Sequence, residues 1–159
     1  MNDSINPTRV YSPEERARRD ATRWTVVQGV LAPLQFAVFA VSLVLVLRFL
    51  VTGEGYAAAT ASVVLKTAIL LLIMITGSVW EKVVFGRWLL APAFFWEDVV
   101  SFGVIALHLL YLWALWSGWS AQAQMTVALA AYAAYLVNAG QFLRKLRLAR
   151  AESRAEGVA

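Results

Sequence analysis

The sequence predicts an all-α integral membrane protein, a four-helix bundle preceded by a short N-terminal amphipathic helix. Hydrophobic residues make up 60% of the 159 residues, whereas soluble domains are about half apolar. Most of these residues fall into four long runs, and a soluble protein could not cover so much apolar surface. The basic residues stand just outside the runs, which is typical of membrane topology signals.

The first 23 residues are polar and contain a helix start of their own. Ser12, Pro13, Glu14 and Glu15 match a capping box with proline at the first helical position. The segment is too long and too polar for a typical signal peptide. We therefore expect residues 1–23 to form an uncleaved cytoplasmic segment with a short amphipathic helix.

Four apolar segments follow, each near the ~20 residues that a helix needs to cross the hydrocarbon of a bilayer. They form a predicted membrane domain over residues 24–143, followed by a basic tail over 144–159. The predicted spans are residues 24–51, 57–80, 99–117 and 123–143.

Lysine and arginine are unevenly distributed among the segments outside the spans. They are concentrated in the N-terminal segment and the tail, and the loop between spans two and three carries Lys82 and Arg87. The other two loops contain neither residue type. Because such residues stay on the cytoplasmic side, both termini and the middle loop are predicted to be cytoplasmic.

Composition also excludes several kinds of site. The chain has no cysteine, so it forms no disulfide, thiolate metal site or iron–sulfur cluster, and its single histidine excludes a bis-histidine haem within one chain. We predict no metal site of its own. The net charge of +4 is explained by topology, so we expect the partner to be the lipid bilayer and not nucleic acid.

Spans one and four each carry polar side chains along one face. At membrane depth, polar groups usually point at other helices or at a cavity. Two interpretations remain open: hydrogen bonds between packed helices, or the lining of a ligand pocket. The residues concerned are Gln28, Gln35 and Ser42 in span one, and Tyr132, Tyr135 and Asn138 in span four.

Two titratable side chains lie near the middle of a span. The ammonium group of Lys66 costs roughly 2.5–3.5 kcal/mol to insert, so it should be paired, neutral or snorkelling. Glu81 lies about 22 Å further along the helix and is too far away to pair with it. His108 is either a hydrogen-bonded packing residue or a ligand-binding one. It lies about 16 Å from Glu97 along the helix axis, so only a large flat ligand meets both.

The loop between spans two and three, with its flanks, is unusually rich in charged and aromatic residues: WEKVVFGRWLLAPAFFWED over residues 80–98. Acidic residues at a helix start are explained by capping alone. Capping does not require Glu81, Glu97 and Asp98 together at the edge of the hydrocarbon. Carboxyl groups crowded beside apolar walls keep a proton near neutral pH, which is the property of a general acid.

Three stretches together resemble one family, the 3-vinyl bacteriochlorophyllide hydratases (2-vinyl in an older ring numbering). They are VVQGVLAPLQF, WEKVVFGRWLLAPAFFWEDVVSFGVIALH and YLVNAGQFLRKLR, and the likeness extends from about Tyr11 to Arg150. The resemblance implies a small enzyme of the bacterial inner membrane that adds water to the ring A vinyl group of a chlorophyllide. It implies a 1-hydroxyethyl product, a substrate with magnesium and a free propionate, and no redox cofactor.

That reaction suggests roles for the residues above. Vinyl hydration needs a proton donor, for which Glu97 or Glu81 is expected, with Asp98 as its partner. Magnesium would take His108 or water as axial ligand. For the rest of the substrate we expect Lys82 or Arg87 at the propionate, and Trp80, Trp96, Tyr135 and Asn138 around the ring.

A second interpretation is a non-catalytic protein that binds or assembles pigment with the same aromatic groove and His108. It differs from the hydratase only in turnover. A bundle of four helices is thin, so self-association or contact with neighbouring pathway enzymes is compatible with either interpretation.

Overall fold

The computed structural model describes residues 9–157, and all regular structure in that range is helical. Residues 1–8 and 158–159, the outer ends of the predicted N-terminal segment and tail, lie outside the described residues. The predicted all-helical class is confirmed. The helices are α1 (Pro13–Ala21), α2 (Arg23–Thr52), α3 (Tyr56–Phe85), α4 (Phe95–Trp116) and α5 (Ala121–Gly157).

Helix α1 begins where the sequence predicts a helix start. The Ser12 hydroxyl accepts a hydrogen bond from the Glu15 N–H, and the Glu15 carboxylate accepts one from the Ser12 N–H. This complete capping box satisfies two backbone donors that the first turn leaves free. Thr22 ends α1, and its hydroxyl caps α2, so the chain passes directly into the first long helix.

Helices α2, α3, α4 and α5 are each long and apolar enough to cross a membrane. Their outer faces carry large hydrophobic side chains, of which Val51 and Trp116 are 84% and 86% exposed. Apolar faces of this extent are suited to lipid, whereas in water they promote association. The chain is therefore a multi-pass membrane protein.

The core of the bundle lies between two pairs of helices. Helix α2 packs against α3 and α4 packs against α5, while α2–α5 and α3–α4 contacts join the pairs. Ala59, Ala128 and Ala131 are fully buried, and their small side chains let the helices approach closely. The rings of Phe39 and Tyr132 meet edge to face at 5.3 Å between centroids, which is a favourable aromatic geometry.

Helix α5 does not end at the predicted limit of span four but continues to Gly157. This extension is joined to the N-terminal segment. The Val10 N–H donates to the Glu152 carboxylate at 3.0 Å, and Arg16 forms an ion pair with Glu156. The two ends of the described chain therefore meet at one end of the bundle.

Candidate active site

The link between α3 and α4 (residues 86–94) folds over one end of the bundle. Leu90 has φ 59°, in the left-handed region that a leucine rarely adopts. Its N–H donates to Asp98 Oδ2 at 2.7 Å, and the Ala91 N–H donates to Glu81 Oε2 at 3.1 Å. Two carboxyl groups from different helices therefore hold this strained link in place.

Glu81 and Asp98 also lie within hydrogen-bonding reach of each other. Both side chains are buried, with 5% and 3% of each residue exposed. A hydrogen bond between carboxyl groups needs a proton on one of them, because a carboxylate can only accept. The sequence places these residues 17 positions apart, and the α3–α4 link brings them into contact.

Glu97 is buried at the start of α4 and faces α5. Its carboxylate lies 3.8 Å from the Lys145 ammonium, which also donates to the Ala93 carbonyl. The Glu97 carbonyl accepts hydrogen bonds from the Asn138 side-chain amide at 2.9 Å and the Ser101 hydroxyl at 2.8 Å. Side chains of α5 therefore fix both the backbone and the carboxylate of Glu97.

A groove of about 390 Å³ lies between the start of α4 and the middle of α5. Of the three clustered acidic residues, Glu97 lines the groove, whereas Glu81 and Asp98 lie behind it at the link. The wall combines aromatic, carboxylate and cationic groups in one concave surface. The lining residues are Pro92, Phe95, Trp96, Glu97, Gln141, Arg144, Lys145 and Leu148.

An apolar cluster lies next to the acidic residues at the same end of the bundle. Val84 and Phe94 belong to it and lie one helical turn from Glu81 and Asp98. Burial raises the pKa of the Tyr11 phenol to about 12, because the cluster excludes the water that would solvate a phenolate. Its members are Val10, Tyr11, Val84, Phe94 and Ala149, packed against Trp80, Phe85 and Ala93.

The residues predicted to bind the substrate fall into different places. Lys82 and Arg87 are exposed on the link side, and the Lys82 ammonium donates to the Gly86 carbonyl at 2.9 Å. Trp96 is 68% exposed and lines the groove. Trp80 instead packs in the apolar cluster, where its indole N–H donates to the Thr25 hydroxyl at 2.9 Å.

Lys66 and His108 lie inside the bundle, away from the groove. The Lys66 Nζ atom is 3.7 Å from the centre of the Tyr135 ring. His108 Nδ1 lies 2.8 Å from the Val104 carbonyl oxygen. Within residues 9–157, neither Lys66 Nζ nor His108 Nε2 has a hydrogen-bond partner. Tyr135 therefore contacts Lys66 and does not line the groove.

The polar faces of spans one and four join helices to one another. Gln28 donates to the Thr76 hydroxyl at 2.7 Å, and the Ser42 and Tyr132 hydroxyls are 2.6 Å apart. Asn138 bonds across to α4 in the same way. These residues of the polar faces therefore form hydrogen bonds between helices, as the first of the two interpretations expects.

Sequence reasoning did not assign Gln141, Arg144 or Lys145 to the site. The positive charges of Arg144 and Lys145 were explained by topology alone, and all three residues lie more than 40 residues from Glu97 in the chain. One signal was present: Gln141 and Lys145 are four residues apart and Arg144 follows Gln141 by three, so all three share a helical face. The α4–α5 packing that turns this face toward Glu97 is not encoded in that spacing.

Comparison with known proteins identifies relatives over nearly the whole chain. A family model described as 2-vinyl bacteriochlorophyllide hydratase matches residues 11–148. The chain is 69% identical over 147 residues to a 2-vinyl bacteriochlorophyllide hydratase of Cereibacter sphaeroides, covering 92% of each chain. It is 65% identical over 157 residues to the protein of that name from Rhodobacter capsulatus, covering 98% of this chain and 92% of the relative. No solved structure matches. The chain therefore belongs to the 2-vinyl bacteriochlorophyllide hydratase family and is an enzyme of the hydro-lyase class.

Proposed function

We propose that this enzyme adds water to the ring A vinyl group of chlorophyllide a or a related bacteriochlorophyllide, producing a 1-hydroxyethyl group. The observation that carries the proposal is the position of Glu97, a buried carboxyl group on the wall of an aromatic groove. The names of two close relatives supply the substrate class. In support, Phe95 and Trp96 line the groove beside Glu97, and aromatic side chains of this kind would stack on a flat ring.

In the proposed mechanism, the Glu97 carboxyl group protonates the terminal carbon of the vinyl group. The π electrons of the C=C bond form the new C–H bond, which leaves a methyl group bonded to a cationic carbon that conjugation with the macrocycle stabilises. A water molecule adds to that carbon and returns one proton to the Glu97 carboxylate. The sum is the addition of one H₂O, with Glu97 regenerated as the acid.

Lys145 and Asn138 act on Glu97 as positioning residues. The Lys145 ammonium, 3.8 Å from the Glu97 carboxylate, stabilises the negative charge that proton transfer leaves behind. Asn138 holds the Glu97 backbone against α5. Precise placement of the acid is valuable because proton transfer needs hydrogen-bonding distance to the reacting carbon.

Glu81 and Asp98 lie at the α3–α4 link and do not line the groove, so their proposed role is indirect. In the proposed mechanism the two carboxyl groups share one proton next to Glu97, and they also hold the link by accepting from the Leu90 and Ala91 N–H groups. Two carboxyl groups in contact retain one proton because two adjacent negative charges repel. In this proposal the pair shapes the site and stores a proton, while Glu97 contacts the substrate.

We propose water, and not His108, as the axial ligand of the substrate's magnesium while the vinyl group reacts at Glu97. A path of five bonds from the metal to the outer vinyl carbon reaches at most about 8 Å. Glu97 and His108 are about 16 Å apart along the axis of α4, and His108 is buried inside the bundle and does not line the groove. Magnesium also prefers oxygen ligands. Hydration is redox-neutral, so the proposed reaction consumes no redox cofactor.

The proposed activity predicts that membranes containing the protein convert chlorophyllide a to its 1-hydroxyethyl derivative. The product is measured by chromatography, with membranes from cells lacking the protein as the control. Pigment that is bound by the purified protein but recovered unchanged would instead support a non-catalytic role in pigment binding or assembly.

We also propose that the groove opens toward the cytoplasm of the bacterial inner membrane, with both termini on that side. The support is the concentration of lysine and arginine in the terminal segments and the α3–α4 link. A reporter enzyme that works only in the cytoplasm should be active when fused after Ala159 and inactive when fused in the α2–α3 loop at Gly53. A reporter that works only in the periplasm should give the opposite pattern, and the reverse of these results would overturn the topology.

A further inference from the structure

Two neighbouring cationic side chains of α5, Lys145 and Arg144, line the groove, and they differ in their contacts with the rest of the protein. Lys145 is engaged by Glu97 and by the Ala93 carbonyl. Arg144 also lines the groove and is exposed. Within residues 9–157 no carboxylate forms an ion pair with Arg144. Arg144 therefore presents an uncommitted guanidinium beside the proposed proton donor.

Arg144 also connects the groove to a second hollow of about 380 Å³ along α5. Both hollows are lined by Arg144 and Leu148, so they lie side by side on neighbouring faces of α5 and together form one shelf. The added part of the shelf passes Gly140, where an added Cβ would meet nothing within 4 Å. The shelf is wider than the groove alone, and Arg144 lies where its two parts meet.

Resting on the proposed function, we propose that Arg144 binds the free carboxylate side chain of the pigment substrate. A guanidinium matches a carboxylate with two parallel hydrogen bonds, a geometry that a lysine ammonium does not reproduce. The aromatic side chains of Phe95 and Trp96 on the groove wall would reduce competition from water at this pair once the macrocycle covers it. With its carboxylate on Arg144, the macrocycle lies across the groove with its rim toward Glu97.

This assignment differs from the expectation that Lys82 or Arg87 binds the carboxylate. Neither residue lines either hollow. The Lys82 ammonium is used at the end of α3, where it donates to the Gly86 carbonyl. Arg87 is exposed on the α3–α4 link. These two residues therefore provide matched charge-removal controls on the same end of the bundle.

The test compares two substrates, the free-acid pigment and its propionate methyl ester, in wild-type enzyme and variants. Arg144→Ala is expected to raise KM for the free acid by about 10- to 100-fold, the effect of losing a charge-assisted hydrogen-bonded pair. It should leave kcat nearly unchanged and should not raise KM for the ester. Arg144→Lys should recover only part of the affinity for the free acid, because lysine retains the charge but cannot form the two parallel hydrogen bonds of a guanidinium.

Lys82→Ala and Arg87→Ala are expected to preserve the preference of the enzyme for the free acid. The proposal is overturned if either of these changes removes that preference, or if Arg144→Ala lowers the affinity for the free acid and for the ester equally. If this equal loss of affinity disappears in vesicles without anionic lipid, the partner of Arg144 is instead a lipid phosphate. Titration of pigment binding by fluorescence tests the same preference without turnover, so a failure of the hydratase proposal remains distinguishable.

Discussion

Glu97→Gln is expected to lower kcat for vinyl hydration by about 10²- to 10⁴-fold, the usual contribution of a general acid. Glutamine has nearly the same shape as glutamate but holds no transferable carboxyl proton. The Lys145 ammonium keeps its bond to the Ala93 carbonyl, so the groove should retain its form. Pigment affinity, measured by fluorescence titration, should change by less than about threefold, because the acid contributes to the transition state more than to binding.

Glu54→Gln is a suitable control for this change. Glu54 is exposed in the short α2–α3 loop, at the other end of the bundle, and among residues 9–157 it pairs only with Arg48, in a surface contact. The same loss of one carboxylate there should leave kcat unaltered. Turnover at the wild-type rate in Glu97→Gln would remove Glu97 from the mechanism and transfer the role of acid to the Glu81–Asp98 pair.

Asp98→Ala is expected to destabilise the protein by about 3 kcal/mol, because it removes a buried hydrogen-bonding partner from two groups at once. The Leu90 N–H loses its acceptor in a left-handed turn, and Glu81 loses its neighbouring carboxyl group. The change is measured as a shift of the unfolding midpoint in mixed detergent micelles. Activity should fall as well, because Glu97 follows the same turn.

Asp98→Asn separates the two functions of this residue, which are to hold the link by hydrogen bonding and to share a carboxyl proton with Glu81. The asparagine oxygen can still accept from the Leu90 N–H and its amide can donate to Glu81, so stability should stay within about 1 kcal/mol of wild type. Asp20 is exposed and paired with its neighbour Arg19. As a control, Asp20→Ala should leave the unfolding midpoint unchanged. If Asp98→Ala melts like the wild type, the pair does not hold the link.

The helices could be predicted from the sequence because lipid imposes a simple local rule. A spanning segment must satisfy its own backbone hydrogen bonds and must be apolar, so Trp24 to Val51 is recognisable without any partner. The capping box at Ser12 is local in the same sense. The end of α5 was less predictable: residues 144–157 are polar, and their helix is held by contacts with Val10 and Arg16 at the other end of the chain.

The candidate site could be predicted only in part. The acidic residues stand out because they interrupt apolar sequence, and Glu81 and Asp98 are brought together by the short link between their helices. The partners of Glu97 could not be predicted, because Lys145 and Asn138 reach it through the rotation and height at which α5 packs on α4. Hydrophobic periodicity is weak in helices surrounded by lipid, so it does not fix such a rotation.

The ion pair and hydrogen bond that join the N-terminal segment to the extension of α5 have a practical consequence for engineering. Val10 and Glu152 are in contact, so cargo attached near either terminus is carried to the same side of the bundle, near the shelf that runs along α5. A downstream enzyme tethered at one end and an upstream enzyme at the other would share a small volume close to the groove. Short tethers would then raise the local concentration of an oily intermediate that otherwise disperses through the membrane.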